Sequence, residues 1–264
     1  MAQKRDKYHY FLDEAGDCTF FNKAGLPLLG QNGVSNTFMI GMAHFDKPLE
    51  PLRQKIRDLQ HKIENDRYYK SFPSVQKRIR EKGGFYFHAK DDIPELRKVF
   101  FDFLLEIDCR CEVVVGRKDL GRFVQKHNRR HAEFYADLLS HLITPKLADK
   151  SYLTFNMAQL GNITSQHNLN IGLRKAEDRF YKNNPHDVIR AKIDFQDHQF
   201  THEPLLAIVD YFLWAVQRVF EKDEARYYTY LNEKIVKVTD LYDPKGVQIY
   251  TGENPLVDEN KISL

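Results

Sequence analysis

The sequence predicts an α/β protein with a mixed central sheet flanked by helices. Short runs rich in β-branched and aromatic residues, which read as strands, are interleaved with longer stretches carrying apolar residues at three- and four-residue spacing, which read as helices. Strand-like runs gather early and only then alternate with helices, which points to a mixed sheet rather than a purely doubly wound one. The 264 residues, 42% apolar and 13% aromatic, contain no internal repeat, low-complexity tract or Gly/Ser linker. One domain over residues 1–264 is therefore expected, with insertions at about 47–82 and 119–148. A chain of this length hides roughly 70% or more of its unfolded surface.

Residues 8–12 and 36–43 form the first two expected strands. A helix follows over 49–69, with Leu52, Ile56, Leu59 and Ile63 on one stripe. The charge-rich 77–82, between a turn-like 71–74 and Gly83-Gly84, reads as an exposed loop or helix end. Aromatic 84–87 reads as a strand, and Pro94 sits where a first helical turn tolerates proline, ahead of a helix to Ile107. Strands at 112–115, 152–155 and 191–195 and helices at 133–147, 163–181 and 204–220 complete the pattern.

Forty Lys and Arg against 37 Asp and Glu give a formal charge of +3, which argues against a polyanion-coating protein while leaving room for a local basic face. Cys18, Cys109 and Cys111 are an odd number and fit a reducing compartment better than a disulfide scaffold. Residues 1–7 are polar and charged, unlike a signal peptide, and the longest apolar stretch, 205–214, is interrupted by Asp210. A cytoplasmic location is the expectation.

Two features carry chemistry. The first strand runs into Asp13-Glu14-Ala15-Gly16-Asp17, three carboxylates in five residues. With a side-chain period of two, Asp13 and Asp17 share a face if the extended chain continues, and Glu14 reaches that face only if the strand breaks, as Gly16 permits. Clustered carboxylates repel unless protons or cations screen them, and such hard oxygen ligands suit Mg²⁺ or Mn²⁺. The plainer reading is an acidic turn in water. Asp210 is the second feature, the lone acid in a helix apolar nearly all round. Burying it unpartnered costs several kcal/mol, so it needs a partner. That partner is either a buried donor or arginine such as Arg218, or a cation shared with an acid from the sheet. Helical spacing from Asp210 places Glu203, Ala207, Trp214 and Gln217 near one stripe.

In combination, Tyr10-Phe11-Leu12-Asp13-Glu14-Ala15-Gly16-Asp17, Phe87-His88-Ala89-Lys90-Asp91-Asp92 and the helix from Glu203 through Asp210-Tyr211 to Trp214-Ala215-Val216-Gln217-Arg218 resemble the domain-of-unknown-function 3800 family, in order and over nearly the whole chain. That family looks like a branch of the ribonuclease-H-like superfamily, whose members cut or transfer nucleic-acid phosphodiesters with two divalent metals. The resemblance implies a ribonuclease-H-like sheet, a nucleic-acid substrate (RNA or DNA), and Mg²⁺ or Mn²⁺ held by Asp13 and Asp210 with Glu14 as a further ligand or water-orienting group. His88 and Lys90 are second-rank catalytic candidates, for proton transfer and phosphate positioning. The strand over 152–155 ends at Asn156, where such a sheet often presents another acid; Asn ligates through its carbonyl but brings no charge. Relatives often carry Gln where this chain has Ala207. These two departures motivate the alternative of a catalytically inactive nucleic-acid or protein-binding module on the same fold.

Asp194 and Asp197 precede the late helix and are further acids that can face the site. Cys109 and Cys111 with His127 and His131, or with His198 and His202, can be drawn as a zinc site, but no paired Cys-x-x-Cys supports it. No phosphate-binding glycine loop or G-x-S-x-G elbow occurs. The basic runs 77–82, 117–118 and 126–131 are candidates for polyanion contact, without interleaved aromatics for base stacking; Tyr227, Tyr228 and Tyr230 read as packing residues.

Overall fold

The computed structural model describes residues 7–31, 33–46, 48–149, 152–158, 165–187 and 190–257. Seven strands form one mixed sheet: β1 (Lys7–Gly16), β2 (Thr37–Phe45), β3 (Cys109–Arg117), β4 (Tyr152–Ala158), β5 (Lys192–His198), β6 (Ile235–Asp240) and β7 (Gln248–Tyr250). Their spatial order is β5-β4-β1-β2-β3-β6-β7. β1, β2 and β3 make an antiparallel meander, β4 and β5 add in parallel on the β1 side, and β6 adds parallel to β3. β1 is thus interior to the sheet, and both of its faces are covered.

Alternation along the strands sorts the core into two layers. Phe11, Met39, Ala43, Val113 and Val115 point to one face. That face is covered by α1 (Leu49–Asn65), α3 (Pro94–Glu106), α7 (Leu206–Lys222) and α8 (Arg226–Leu231). Leu12, Phe38, Ile40, Met42, Val114 and Phe155 point to the other, beneath α4 (Leu120–Gln125), α5 (His131–Ile143) and α6 (Gln166–Asn183). The segment expected as an insertion at 119–148 therefore contains a principal layer helix: nine of the thirteen α5 residues are buried. The segment at 47–82 supplies α1 and α2 (Pro73–Lys82).

Two expectations need correction and one is resolved. Of the two readings of 77–82 the helix end holds: these residues close helix α2, begun by Pro73 and ended by Gly83 in the left-handed conformation (φ +75°). Residues 84–87 are extended but belong to no strand; the Phe85 N–H donates to Glu64 Oε1, the Tyr86 carbonyl accepts from Arg78, and Phe87 packs on Phe100. β1 also runs four residues past Leu12, carrying Asp13 and Glu14 inside the ladder, paired with Gly41 and Ile40. No helix among the described residues is long and apolar enough to cross a membrane.

Candidate functional site

Asp13 stands on the α7 face of β1, in register with Gly41 on β2. A Cβ built on Gly41 would lie 2.8 Å from Leu213 Cγ and 3.1 Å from Val209 Cγ1, both on α7. The missing side chain lets the helix settle close to the sheet, and Asp210, next along from Val209, comes to face Asp13. Asp13 is 6% exposed and Asp210 half-buried. Burial, then the facing Asp210 carboxylate, then Glu14, push the Asp13 pKa well above the ordinary carboxylate range. Burial pushes Asp210 up to about 6, opposed by the charge of His88 and the Ala89 N–H. Among the described residues no Lys or Arg forms an ion pair with either acid.

A third segment closes on Asp210. The Ala89 N–H donates to Asp210 Oδ2 at 2.7 Å, and the preceding amide, His88 N–H, donates to Asp92 Oδ2 at 2.9 Å. Asp92 is held in turn by Arg78 Nη1 at 2.5 Å and by the Tyr211 hydroxyl, the residue after Asp210. A buried ion pair thus fixes the backbone turn that meets the catalytic-candidate helix. His88 is half-buried, its Nδ1 3.2 Å from Asp91 Oδ2. Arg97 Nη1 donates to the Ala89 carbonyl at 2.9 Å while its guanidinium lies 4.6 Å over the Trp214 ring. Lys90 is exposed at the tip of this turn.

Glu14 does not join Asp13 and Asp210. Because β1 continues unbroken to Gly16, the period of two sends Glu14 to the opposite face, where the Tyr135 hydroxyl of α5 donates to Oε1 at 2.9 Å. Burial raises its pKa to about 7 despite that hydrogen bond. Gly16 (φ +88°) then turns the chain; a Cβ there would meet the Thr37 carbonyl at 2.3 Å. Asp17 consequently leaves the face and becomes a structural anion, bound by the Ser35 N–H and hydroxyl, the Thr19 N–H and Lys118 Nζ. Burial works against its ionisation, but these donors prevail and hold its pKa low.

Asn156 shares the face of Asp13, but its amide is engaged: Nδ2 donates to the Tyr10 carbonyl at 3.1 Å and Oδ1 lies 2.9 Å from His198 Nε2. As placed it offers no free carbonyl to a metal. Asp194 lies on this face one step further from Asp13, accepting from Gln196 Nε2, and Asp197 pairs with Met157 on the opposite face. Glu203 is consumed by a bidentate contact from Arg53 at 2.8 to 3.0 Å. Cys109 and Cys111 are buried on the α7 face of β3, whereas His127 bonds Tyr242 in the other layer, so the zinc grouping does not form.

Two side chains escaped the sequence reading. Arg97 was hidden in an ordinary amphipathic helix. His198 was weighed only as a zinc ligand, yet β4–β5 pairing puts it opposite Ala158, with its Nε2 2.9 Å from Asn156 Oδ1 on the face of Asp13. Alternation counted from Asp13 across β4 would have revealed it, had the strand order been known.

Among the described residues no group of three or more His, Cys, Asp or Glu is close enough to hold a metal ion. Zinc, which takes three or four protein ligands, does not suit such a place. Mg²⁺ and Mn²⁺ do: Mg²⁺ commonly binds through one or two carboxylates and completes its octahedron with water and substrate phosphate. Asp13 and Asp210 would be those carboxylates. No protein-family model matches the chain, and no curated protein matches it.

Proposed function

We propose that the protein is a Mg²⁺- or Mn²⁺-dependent phosphodiesterase acting on nucleic acid, on a sheet of ribonuclease-H-like type, as the resemblance to the domain-of-unknown-function 3800 family implies. The observation that carries the reading is the pair of Asp13 on β1 and Asp210 on the helix packed over it, acids from distant parts of the chain whose charges interact and which form no ion pair with a Lys or Arg among the described residues. A bound divalent ion would neutralise the pair, polarise a phosphodiester and lower the pKa of an attacking water. His88 stands beside Asp210 as the proton-transfer candidate, and Lys90 is exposed at the turn to meet a phosphate. Three buried free cysteines fit a reducing, cytoplasmic setting.

Purified protein titrated with Mn²⁺ and assayed on RNA and DNA oligonucleotides tests this. Asp13→Asn and Asp210→Asn are each expected to weaken Mn²⁺ binding and cleavage by roughly 100-fold or more, since altering even the partners of metal ligands costs 10- to 100-fold. Glu14→Gln, on the other face, should keep binding. An Asp13→Asn protein that cleaves as fast as the parent in the same Mn²⁺ refutes the assignment.

The engaged amide of Asn156 favours a second reading, a nucleic-acid-binding module without turnover, because the site then has only two anionic ligands. It predicts salt-sensitive binding and no metal-dependent cleavage.

A further inference from the structure

Helix α2 and the segment at Tyr86 beside it border a cavity of about 390 Å³ lined by Lys77, Arg78, Lys82 and Tyr86, with Ser74, Glu81 and Asp91 completing the wall. That volume falls within the range of ligand pockets, roughly 300–1,000 Å³. Its charges are unevenly satisfied. Glu81 lies 3.7 Å from Arg80, and Asp91 lies beside His88. Lys77 and Lys82 are exposed and form no ion pair among the described residues. Arg78 has an 8% exposed side chain; its Nη1 serves Asp92 and the Tyr86 carbonyl, whereas Nη2 is buried without any hydrogen-bond partner. A buried guanidinium nitrogen left unpaired is costly, and anions are its natural partners.

The basic run of α2 has no aromatics near it in sequence, but the fold supplies them. Tyr86 packs against Phe200 with ring centroids 5.9 Å apart, and Phe200 against His88 at 5.8 Å. All three are half-buried, so part of each ring borders solvent. The aromatic row leads from the cavity to His88, and the Arg78–Asp92 pair ties the cavity wall to the turn that meets Asp210.

We propose that this cavity binds a backbone phosphate of single-stranded nucleic acid, one that flanks the phosphodiester at Asp13 and Asp210. Lys77 and Lys82 contact the phosphate, and Tyr86 and Phe200 stack on adjoining bases. Unstacked bases are available only in a single strand, which is why the aromatic row selects it. The inference rests on the nuclease reading for its placement, but binding is measured without cleavage.

The test is fluorescence anisotropy with a labelled dodecathymidylate in EDTA, at several NaCl concentrations, on the parent, Lys77→Ala/Lys82→Ala and Phe200→Ala, with thermal melts confirming folding. Losing two phosphate contacts should weaken binding by about tenfold and flatten the plot of log K against log salt by about 1.4, at roughly 0.7 per contact on a single strand. Phe200→Ala should weaken binding by about 5- to 100-fold. Unchanged affinity and slope in the double lysine variant overturn the proposal. Equal affinity for a duplex, or thymidine monophosphate binding as tightly with the same lysine dependence, overturns the single-strand assignment. Lysine-dependent binding with no cleavage by any protein in Mn²⁺ supports the cavity and refutes the catalytic reading, so the two failures are distinguishable.

Discussion

The placement of Asp210 over Asp13 depends on Gly41, and Gly41→Ala measures that dependence. The new Cβ would lie 2.8 Å from Leu213 Cγ, nearer than carbon atoms tolerate, and 3.0 Å from Leu213 Cδ2 and 3.1 Å from Val209 Cγ1, tighter than ordinary contact. Relieving three such contacts requires Leu213 to change rotamer or α7 to lift, an overpacking cost of about 1–3 kcal/mol. Replacing a strand glycine returns roughly 0.5–1 kcal/mol of backbone entropy. The net loss is at most about 2.5 kcal/mol and centres near 1 kcal/mol, a fall of roughly 2–4 °C in Tm for a chain of this size. Leu213→Ala alone should cost about 2–5 kcal/mol through its cavity. In the double variant the two changes compensate, because the methyl group added at position 41 occupies part of the space vacated by Leu213, giving a coupling of about 1 kcal/mol or more. Urea denaturation of the four proteins closes the cycle, and Mn²⁺ titration of each reports whether lifting α7 weakens the site. Strictly additive stabilities, or a Gly41→Ala protein as stable as the parent, would show that close approach at Gly41 does not set the helix position.

Two further outcomes follow from the buried networks. Asp92→Asn leaves the Arg78 guanidinium uncompensated and should cost about 3 kcal/mol or more in urea unfolding, with a loss below about 1 kcal/mol refuting the structural role. Asp137 has its pKa held down to about 2: burial opposes ionisation, but Lys126 and the Tyr242 hydroxyl outweigh it. A depressed acid contributes stability that is present above the ordinary carboxylate pKa and lost as pH falls through the folded value. Asp137→Asn should therefore be about 2 kcal/mol less stable than the parent at pH 7, the difference shrinking as pH drops from about 4 towards 2; a gap independent of pH would contradict this.

What the sequence disclosed was local. Apolar alternation located β1, β2, β3, β4 and β5 to within a few residues, and helical spacing located α1, α3, α5, α6 and α7. The reading of β1 stopped at Leu12 because Asp and Glu are poor strand formers, whereas ladder pairing to β2 carries the strand on to Gly16. That extension decides which acid faces α7. Residues 84–87 have strand-like composition but no neighbouring edge to pair with, and pairing is a long-range property that composition does not record. β6 opens with Ile235-Val236-Lys237-Val238, which does not alternate, and its lysine and short length masked it. The dependence of the site on Gly41 was illegible for the same reason, since only the packed helix gives the absent side chain its meaning. Aromatic support for α2 likewise came from Phe200, over a hundred residues away.

The strongest argument about the site comes from how the rest of the molecule treats its acids. Asp92 is buried against Arg78, Glu203 against Arg53, Asp137 against Lys126 and Arg179, and Asp240 against Arg117. Even Asp17, less buried, has the fully buried ammonium of Lys118. Each follows the rule that a carboxylate taken out of water brings its cation with it. Glu14, on the other face, has the Tyr135 hydroxyl as its hydrogen-bond partner among the described residues. Asp13 and Asp210 have no lysine or arginine ion pair among the described residues: the Asp210 charge adds to the burden on Asp13, while Asp210 itself has the Ala89 N–H and the charge of His88. Gly41 lets α7 approach the strand that carries Asp13, and the Asp92-clamped turn holds Asp210 through the Ala89 N–H. A fold that pairs these other acids with its own cations, and builds rigid supports around one repulsive pair, has an arrangement that becomes favourable when positive charge arrives from solution. A divalent ion supplies that charge in the smallest volume, and a phosphodiester drawn to the ion would then meet a place where the protein's own cations do not compete for it.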